Sequence, residues 1–200
     1  LDALANIDFA TRTEKDEHRT LEIVRIGTCG GMQEDIPLGT FLVSEKSIGW
    51  DGVLAFYEGR DEIADLGFEE ALVNFINYPA KAARPYIVAA NPELVNRIAQ
   101  NDMERGCTIA ANGFYGPQGR VLRCDLAVKD INDRITDFRY EGQRITNYEM
   151  EGSAIAGLSL LMGHKAMTVC CVIAQRKVEA ANTDYKPRIK QLVQTVLERI

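Results

Sequence analysis

An arginine followed by glycines and a threonine could bind an anion. Arg25 lies inside the apolar run 21–27, and Thr28 begins the glycine-containing stretch 28–31 directly after it. Glycines let backbone N–H groups turn toward an anion, and the two side chains add donors. The alternative is a tight turn whose glycines only supply positive φ. Arg25 favours an anion partner, a carboxylate or a phosphate, because an unpaired charge inside an apolar strand is costly.

The stretch 113–120, with the sequence GFYGPQGR, could bind a flat heterocycle. The aromatic ring of Phe114 can stack on such a ligand. The amide of Gln118 presents a donor and an acceptor side by side, which suits an imide edge such as that of uracil. Arg120 supplies positive charge to a carbonyl oxygen. The alternative is a glycine- and proline-rich surface loop with a packed aromatic side chain.

Two further polar groups border predicted elements. Acidic side chains are favoured in a first helical turn, and Glu149 has capping-box spacing from Thr146. Capping explains Glu151 less well, because small and apolar residues follow it, and its carboxylate could accept hydrogen bonds from a pair of sugar hydroxyls. Gln175 and Arg176 come directly after an apolar run. A polar strand end that reaches solvent is an equal alternative for this pair.

Alternating strands and helices must position these groups. The predicted strands are residues 21–27, 39–48, 85–90, 107–111 and 165–174. The predicted helices are residues 91–104, with Asn91 as its N-cap and Gly106 as its stop, 146–162 and 184–200. Residues 51–83 show no clear period and predict a partly irregular insertion. The pattern indicates one domain over residues 1–200, an α/β fold with a central mixed, largely parallel sheet flanked by helices, whose strand ends would collect ligands.

Composition excludes several classes of function. The net charge of the 200 residues is -6 and no basic run occurs, so a nucleic-acid partner has no electrostatic support. The longest apolar stretches are much shorter than a membrane span. Five cysteines without CxxC spacing argue against a disulfide framework and a zinc site, and favour a reducing cytoplasm. The chain begins with Leu1 in what reads as part of a helix, so we expect a further N-terminal segment.

Together these stretches resemble the uridine phosphorylase branch of the nucleoside phosphorylase family. The matching strings are RIGTCGG (25–31), GFYGPQGR (113–120), NYEMEG (147–152) and VIAQR (172–176). They occur in the family's order and span nearly the whole chain. Two departures stand out. Family members carry about ninety further N-terminal residues, including a phosphate loop and arginines of the phosphate site. Gly152 stands where a serine or alanine is usual.

The resemblance implies a role for each matching residue. Arg25 and Thr28 would hold phosphate, with Thr28 also close to the ribose. Met150 and Glu151 would hold the ribose. The base would be bound by Phe114, Gln118, Arg120, Ile173 and Arg176. Gln118 and Arg120 would act in catalysis by stabilising the negative charge that gathers on the leaving uracil.

The implied reaction is the reversible phosphorolysis of uridine to uracil and ribose 1-phosphate, in pyrimidine nucleoside salvage. It needs inorganic phosphate as a co-substrate and no cofactor or metal. The family resemblance also implies a cytoplasmic homohexamer built from dimers, in which a neighbouring subunit helps to close the phosphate site. Deoxyuridine and thymidine stay open as further substrates.

Two alternatives remain. One is another enzyme of the same fold, either a purine nucleoside phosphorylase or a nucleoside hydrolase. Purine-cleaving relatives usually place an aspartate after the last strand, where this chain has Ala174 and Gln175. The other is a non-catalytic relative that binds nucleosides. Four polar residues of the matching strings argue against that alternative, namely Arg25, Glu151, Gln118 and Arg120.

Overall fold

Strands and helices alternate along the chain, which the computed structural model describes for residues 1–176 and 180–200. The strands are β1 (Ile7–Asp8), β2 (Thr13–Glu14), β3 (Glu22–Gly31), β4 (Phe41–Gly49), β5 (Tyr86–Ala89), β6 (Glu104–Ala110), β7 (Arg139–Tyr140), β8 (Gln143–Glu149), β9 (Lys165–Gln175) and β10 (Ala180–Ala181). The helices are α1 (Asp2–Asn6), α2 (Arg60–Ile63), α3 (Leu66–Ile76), α4 (Pro92–Ala99), α5 (Ile131–Asp137), α6 (Gly152–Leu161) and α7 (Lys186–Arg199).

A mixed sheet forms the centre of the fold. Its strand order is β10-β9-β3-β8-β6-β4-β5, and β4 also pairs with β9, so that β4, β9, β3, β8 and β6 close into a ring. β3 runs parallel to β9, and β6 runs parallel to both β4 and β8. The other pairings in this sheet are antiparallel. The predicted α/β fold with a mixed sheet is therefore confirmed.

Two apolar clusters attach the helices to the sheet. The first joins α3 and α5 to β4, β6 and β8, and includes Trp50, Phe68, Ile109, Phe138 and Tyr148. The second joins α4 and α7 to β4 and β9, and includes Val43, Val95, Val169, Leu192 and Val196. Strand β9 is buried along most of its length, which explains its nearly continuous apolar sequence. Among the described residues, no helix combines the length and apolarity needed to cross a lipid bilayer.

The glycine stretch after Arg25 differs from its prediction. Residues 28–31 do not form a tight turn but continue β3 to Gly31, with a bulge between Cys29 and Gly30. Glycine is needed here for close approach rather than for positive φ. A Cβ atom added at Gly27 would lie 2.6 Å from Nη1 of Arg25. Neither the anion-binding loop nor the tight turn considered from the sequence forms, because pairing with β9 and β8 extends the strand through these residues.

The predicted helix 146–162 was also wrong in its first third. Residues 146–149 are the buried end of β8, and α6 begins only at Gly152. Thr146 is completely buried and caps no helix. Glu149 does cap α6, since its carboxylate accepts the backbone N–H groups of Glu151 and Gly152 at 2.8–3.0 Å. Pairing with β6 and β3 on both sides outweighs the local helix signals.

The remaining elements differ mainly in their bounds. Asn91 caps α4 by accepting the N–H of Leu94 at 3.1 Å, as predicted, but α4 ends at Ala99, and Gly106 lies inside β6 rather than at a helix stop. The region 51–83, predicted as partly irregular, contains α2 and α3. The closing helix is confirmed as α7.

Candidate active site

A cavity of about 450 Å³ lies at the carboxyl ends of β3, β8 and β9. Every residue predicted from the sequence to have a binding or catalytic role lines it, namely Arg25, Thr28, Phe114, Gln118, Arg120, Met150, Glu151, Ile173 and Arg176. Gly27 and Gly30, from the glycine stretch considered for anion binding, also line it, as do four residues without a predicted binding or catalytic role, namely Cys29, Tyr148, Glu149 and Ala174. The fold thus brings four separate parts of the chain to one site.

Arg25 lies at one end of this cavity, between two carboxylates. Its Nη1 atom is 3.1 Å from Oε2 of Glu149 and donates to Sγ of Cys170 at 3.3 Å, while Nη2 donates to Glu151. Burial acts to lower the pKa of Arg25, but contact with Cys170, Glu149 and Glu151 raises it above its usual value. The guanidinium therefore stays charged. The sequence predicted an anionic partner, and the structure supplies carboxylates.

The two carboxylates differ sharply in environment. Glu149 is buried, and burial raises the pKa of its carboxyl above the usual value, although Arg25 and two backbone N–H groups act to lower it. The side chain of Glu151 is 58% exposed. Glu149 is consequently fixed inside the protein, whereas Glu151 can change its partner when a ligand enters.

Gln118 lies at the opposite end of the cavity, between Arg120 and Arg176. Its carbonyl oxygen accepts a hydrogen bond from Nη1 of Arg120 at 3.0 Å and another from Nη2 of Arg176. A carbonyl oxygen has two lone pairs, so both are engaged and the amide nitrogen is the group left to meet a ligand. The sequence predicted a donor and an acceptor side by side. The structure shows that the acceptor is already occupied.

Two guanidinium groups thus lie close together at this end. Burial lowers the pKa of Arg176 to about 10, and the nearby charge of Arg120 contributes, yet Arg176 remains protonated at neutral pH. Its Nε atom is buried and has no hydrogen-bond partner within the described part of the chain. The Arg120 guanidinium lies 3.7 Å from the ring centroid of Phe114 and donates to the carbonyl oxygen of Phe114 at 2.5 Å. The cluster favours a ligand with electron-rich oxygens.

A supporting pair that sequence reasoning missed holds the loop of Gln118 in place. Asn132, in α5, donates to the carbonyl oxygens of Gln118 and Gly119 at 3.2 and 3.4 Å. The hydroxyl of Tyr148 donates in turn to Oδ1 of Asn132 at 3.1 Å. Tyr148 stands inside the NYEMEG string and could have been noticed there. No sequence signal marks Asn132, because its role depends on packing of α5 against this loop.

Gln175 is held away from the cavity. Its Nε2 atom donates to the carbonyl oxygens of Gln33 and Ile36, each at 2.8 Å, and its Oε1 atom accepts the N–H of Arg176 at 2.9 Å. The residue is buried. A side chain at this position is therefore engaged in the protein interior and does not present its end group to a base.

This geometry predicts the outcome of Gln175→Asp. The shorter, acidic side chain cannot donate to the two carbonyl oxygens, and each unpaired buried group costs about 1–3 kcal/mol. We expect a lower melting temperature and no gain of inosine phosphorolysis. Thermal unfolding and an inosine assay with excess phosphate measure both effects, and Gln175→Asn separates side-chain length from charge. Efficient inosine cleavage by Gln175→Asp would contradict the expectation.

The fold and the cavity define an α/β protein with a cavity of small-molecule size at the ends of its strands. The family model described as the phosphorylase superfamily matches residues 5–199, and the chain belongs to this family.

Similar proteins agree with this assignment. Uridine phosphorylase A of Schistosoma mansoni is 29% identical over 161 residues, which are 76% of this chain and 47% of that relative. A Trypanosoma brucei nucleoside phosphorylase, whose crystal structure is described as showing uridine phosphorylase activity, has a TM-score of 0.81 at 22% identity, covering 99% of this chain and 73% of that one. A Schistosoma mansoni uridine phosphorylase in complex with thymine has a TM-score of 0.60 at 26% identity, covering 90% of this chain and 60% of that one. The chain spans about half the length of the curated relatives it matches.

Proposed function

We propose that this protein is a uridine phosphorylase that converts uridine and inorganic phosphate to uracil and ribose 1-phosphate. One observation carries the proposal. A single cavity joins an end with Arg25 and Thr28 to an end with Gln118 and two arginines. The first end offers donors to an anion and the second to the carbonyl oxygens of a base. The names of the relatives, including one crystallised with thymine, support the same assignment.

The chemistry follows from the placement of these groups. A phosphate oxygen attacks the anomeric carbon of the ribose while the bond from that carbon to the base nitrogen breaks, and the bonding electrons leave with uracil. Glu151 would accept hydrogen bonds from the ribose hydroxyls, with Met150 and Thr28 beside the sugar. Gln118 and Arg120 would stabilise the negative charge on the departing uracil more strongly than they bind the neutral base. Phosphate is the co-substrate, and the reaction needs no cofactor or metal.

The base end of the cavity favours a pyrimidine over a purine. The amide nitrogen of Gln118 and the guanidinium groups of Arg120 and Arg176 are all donors, which suit carbonyl oxygens. Ala174 lines the cavity without a proton to give, and Gln175 is turned away. Uracil can leave as a delocalised anion, so a dedicated general acid is not required. Ile173 would supply an apolar wall.

The small positive charge at the phosphate end of the cavity supports assembly with a second subunit. Among the described residues, Arg25 is the one arginine at the phosphate end of the cavity. It already contacts Glu149 and Glu151. A phosphate dianion needs more positive charge than this arrangement offers. We propose that a neighbouring subunit of a dimer-based homohexamer contributes it. We further propose a role in pyrimidine salvage in the cytoplasm, a reducing compartment that suits five free cysteines.

The test compares uridine, thymidine, inosine and adenosine side by side, with and without excess phosphate. We expect phosphate-dependent release of uracil, with uridine preferred over inosine by several orders of magnitude. Inosine or adenosine cleaved as fast as uridine would reject the pyrimidine assignment. Base release without phosphate would identify a hydrolase, and nucleoside binding without turnover would identify a non-catalytic relative.

A further inference from the structure

We propose that Glu149 is a positioning residue for the phosphate subsite: it holds the guanidinium of Arg25 from the protein side, so that phosphate can take the place of Glu151. The inference rests on the proposed function, because it assumes that phosphate binds at Arg25. It assigns different tasks to two glutamates that stand two positions apart and contact the same arginine.

Both carboxylate oxygens of Glu149 are engaged in contacts within the protein. Its Oε1 atom accepts the N–H of Gly152 at 3.0 Å, and Oε2 accepts the N–H groups of Glu151 and Gly152 at 3.0 and 2.8 Å. The same Oε2 atom is 3.1 Å from Nη1 of Arg25, and the side chain is fully buried. A buried carboxylate with these bonds at the start of α6 cannot follow a ligand. The end of Arg25 that it contacts is therefore fixed as well.

The other end of the guanidinium is in a different position. Nη2 of Arg25 pairs with Glu151, whose side chain is more than half exposed. Because solvent reaches the Glu151 side of this ion pair and weakens it, a phosphate oxygen can replace the Glu151 carboxylate at low cost. The released carboxylate is then free for the ribose hydroxyls. Binding of phosphate would in this way prepare the ribose subsite.

Close packing keeps the side chains of Arg25 and Glu149 in place. The guanidinium of Arg25 lies over Gly27, where an added Cβ atom would come within 2.6 Å of Nη1. An added Cβ atom at Gly152 would lie 3.0 Å from Oε1 of Glu149 and 3.0 Å from Oγ1 of Thr168. A residue with a side chain at position 152 would therefore crowd the Glu149 carboxylate. The glycine at position 152 thus leaves room for this carboxylate at the start of α6.

The test is Glu149→Gln in the intact protein. The amide oxygen can still accept a hydrogen bond from the backbone of α6. Depending on its orientation, however, the amide presents to Arg25 either its NH₂ group, which is a donor, or an oxygen that carries no negative charge. Losing a charge-assisted contact predicts a rise of roughly ten- to a hundred-fold in the KM for phosphate. The KM for uridine at saturating phosphate should change by less than about threefold, since no contact of Gln118 or Arg120 is altered. Steady-state phosphorolysis and calorimetric titration with inorganic phosphate measure these effects.

Glu69→Gln is the matched control. Glu69 is another fully buried carboxylate, paired with Arg60 at 2.6 Å and accepting the N–H of Ile87 at 3.1 Å, and it does not line the cavity. This variant should lose stability without a selective change in the KM for phosphate. If Glu149→Gln does not fold, Glu149→Asp, which keeps the charge and withdraws it by one methylene, should raise the same KM to a smaller extent.

The outcomes separate this inference from the proposed function. An unchanged phosphate affinity in a folded Glu149 variant would overturn the inference, as would equal losses for phosphate and uridine in the Glu149 and Glu69 variants. A wild-type protein that does not cleave uridine would reject the proposed function instead. Titration with phosphate alone would still compare the wild type with Glu149→Gln in that case.

Discussion

Replacing Arg120 with alanine should reduce uridine turnover by about a hundred- to a thousand-fold and leave the KM for phosphate nearly unchanged. Arg120 is one of two guanidinium groups on the carbonyl oxygen of Gln118, and it lies over the ring of Phe114. The alanine variant loses a donor for the charged leaving base and one of the two hydrogen bonds that hold the side chain of Gln118. Phosphate should be affected little, because its proposed donors, Arg25 and Thr28, do not bond to Arg120.

Steady-state kinetics with each substrate varied in turn measure this effect. Arg123→Ala, which removes an exposed arginine three positions further along the same loop region, is the control and should behave like the wild type. Arg120→Lys keeps the charge but not the planar group that bonds to Gln118 and stacks on Phe114, so it should recover only part of the activity. Wild-type turnover by Arg120→Ala would remove Arg120 from the base site.

Replacing Glu151 with glutamine should lower kcat/KM for uridine by roughly ten- to a hundred-fold, because the sugar hydroxyls lose a charge-assisted contact. The KM for phosphate should stay unchanged or fall. Glu151 pairs with Nη2 of Arg25 in this structure, and its carboxylate competes with phosphate for that group. A variant that binds phosphate at least as well while using uridine poorly distinguishes a ribose ligand from a residue that only stabilises the site.

Deoxyuridine provides a second comparison for Glu151→Gln. A substrate without the 2′-hydroxyl already lacks one of the two proposed contacts. Glu151→Gln should therefore lower kcat/KM for deoxyuridine less than it lowers kcat/KM for uridine. Glu34→Gln, at an exposed position that does not line the cavity, serves as the control. Unchanged constants for uridine and phosphate would leave Glu151 with a role only at the start of α6.

Local sequence patterns single out polar groups of the candidate site, and the family resemblance supplied their roles and added Met150 and Ile173. Each of the strings around Arg25, Gln118, Glu151 and Arg176 combines polar groups with glycines or a strand end, and such combinations are unusual inside apolar stretches. All four line one cavity. The alternation of strands and helices likewise predicts an α/β fold, because burial on both faces leaves a continuous apolar run in a strand such as β9.

The errors have a common physical origin. The stretch 146–149 carries a capping-box signal, yet it is a strand because β6 and β3 supply hydrogen-bond partners that the local sequence does not reveal. The glycines after Arg25 signal a turn in isolation, but they continue β3 because β9 and β8 supply hydrogen-bond partners that the local sequence does not reveal. In both places contacts from distant parts of the chain decided the conformation.

The sequence by itself determined the class of fold and the chemical groups at the site, since hydrophobic periodicity and side-chain chemistry are properties of short segments. Only the tertiary structure decided how those groups are paired. It placed Glu149 behind Arg25, engaged the oxygen of Gln118 with two arginines and turned Gln175 away from the cavity. Apart from the local bond between Gln118 and Arg120, these pairings join residues far apart in the chain, and they follow from the closure of the sheet, which local patterns do not encode.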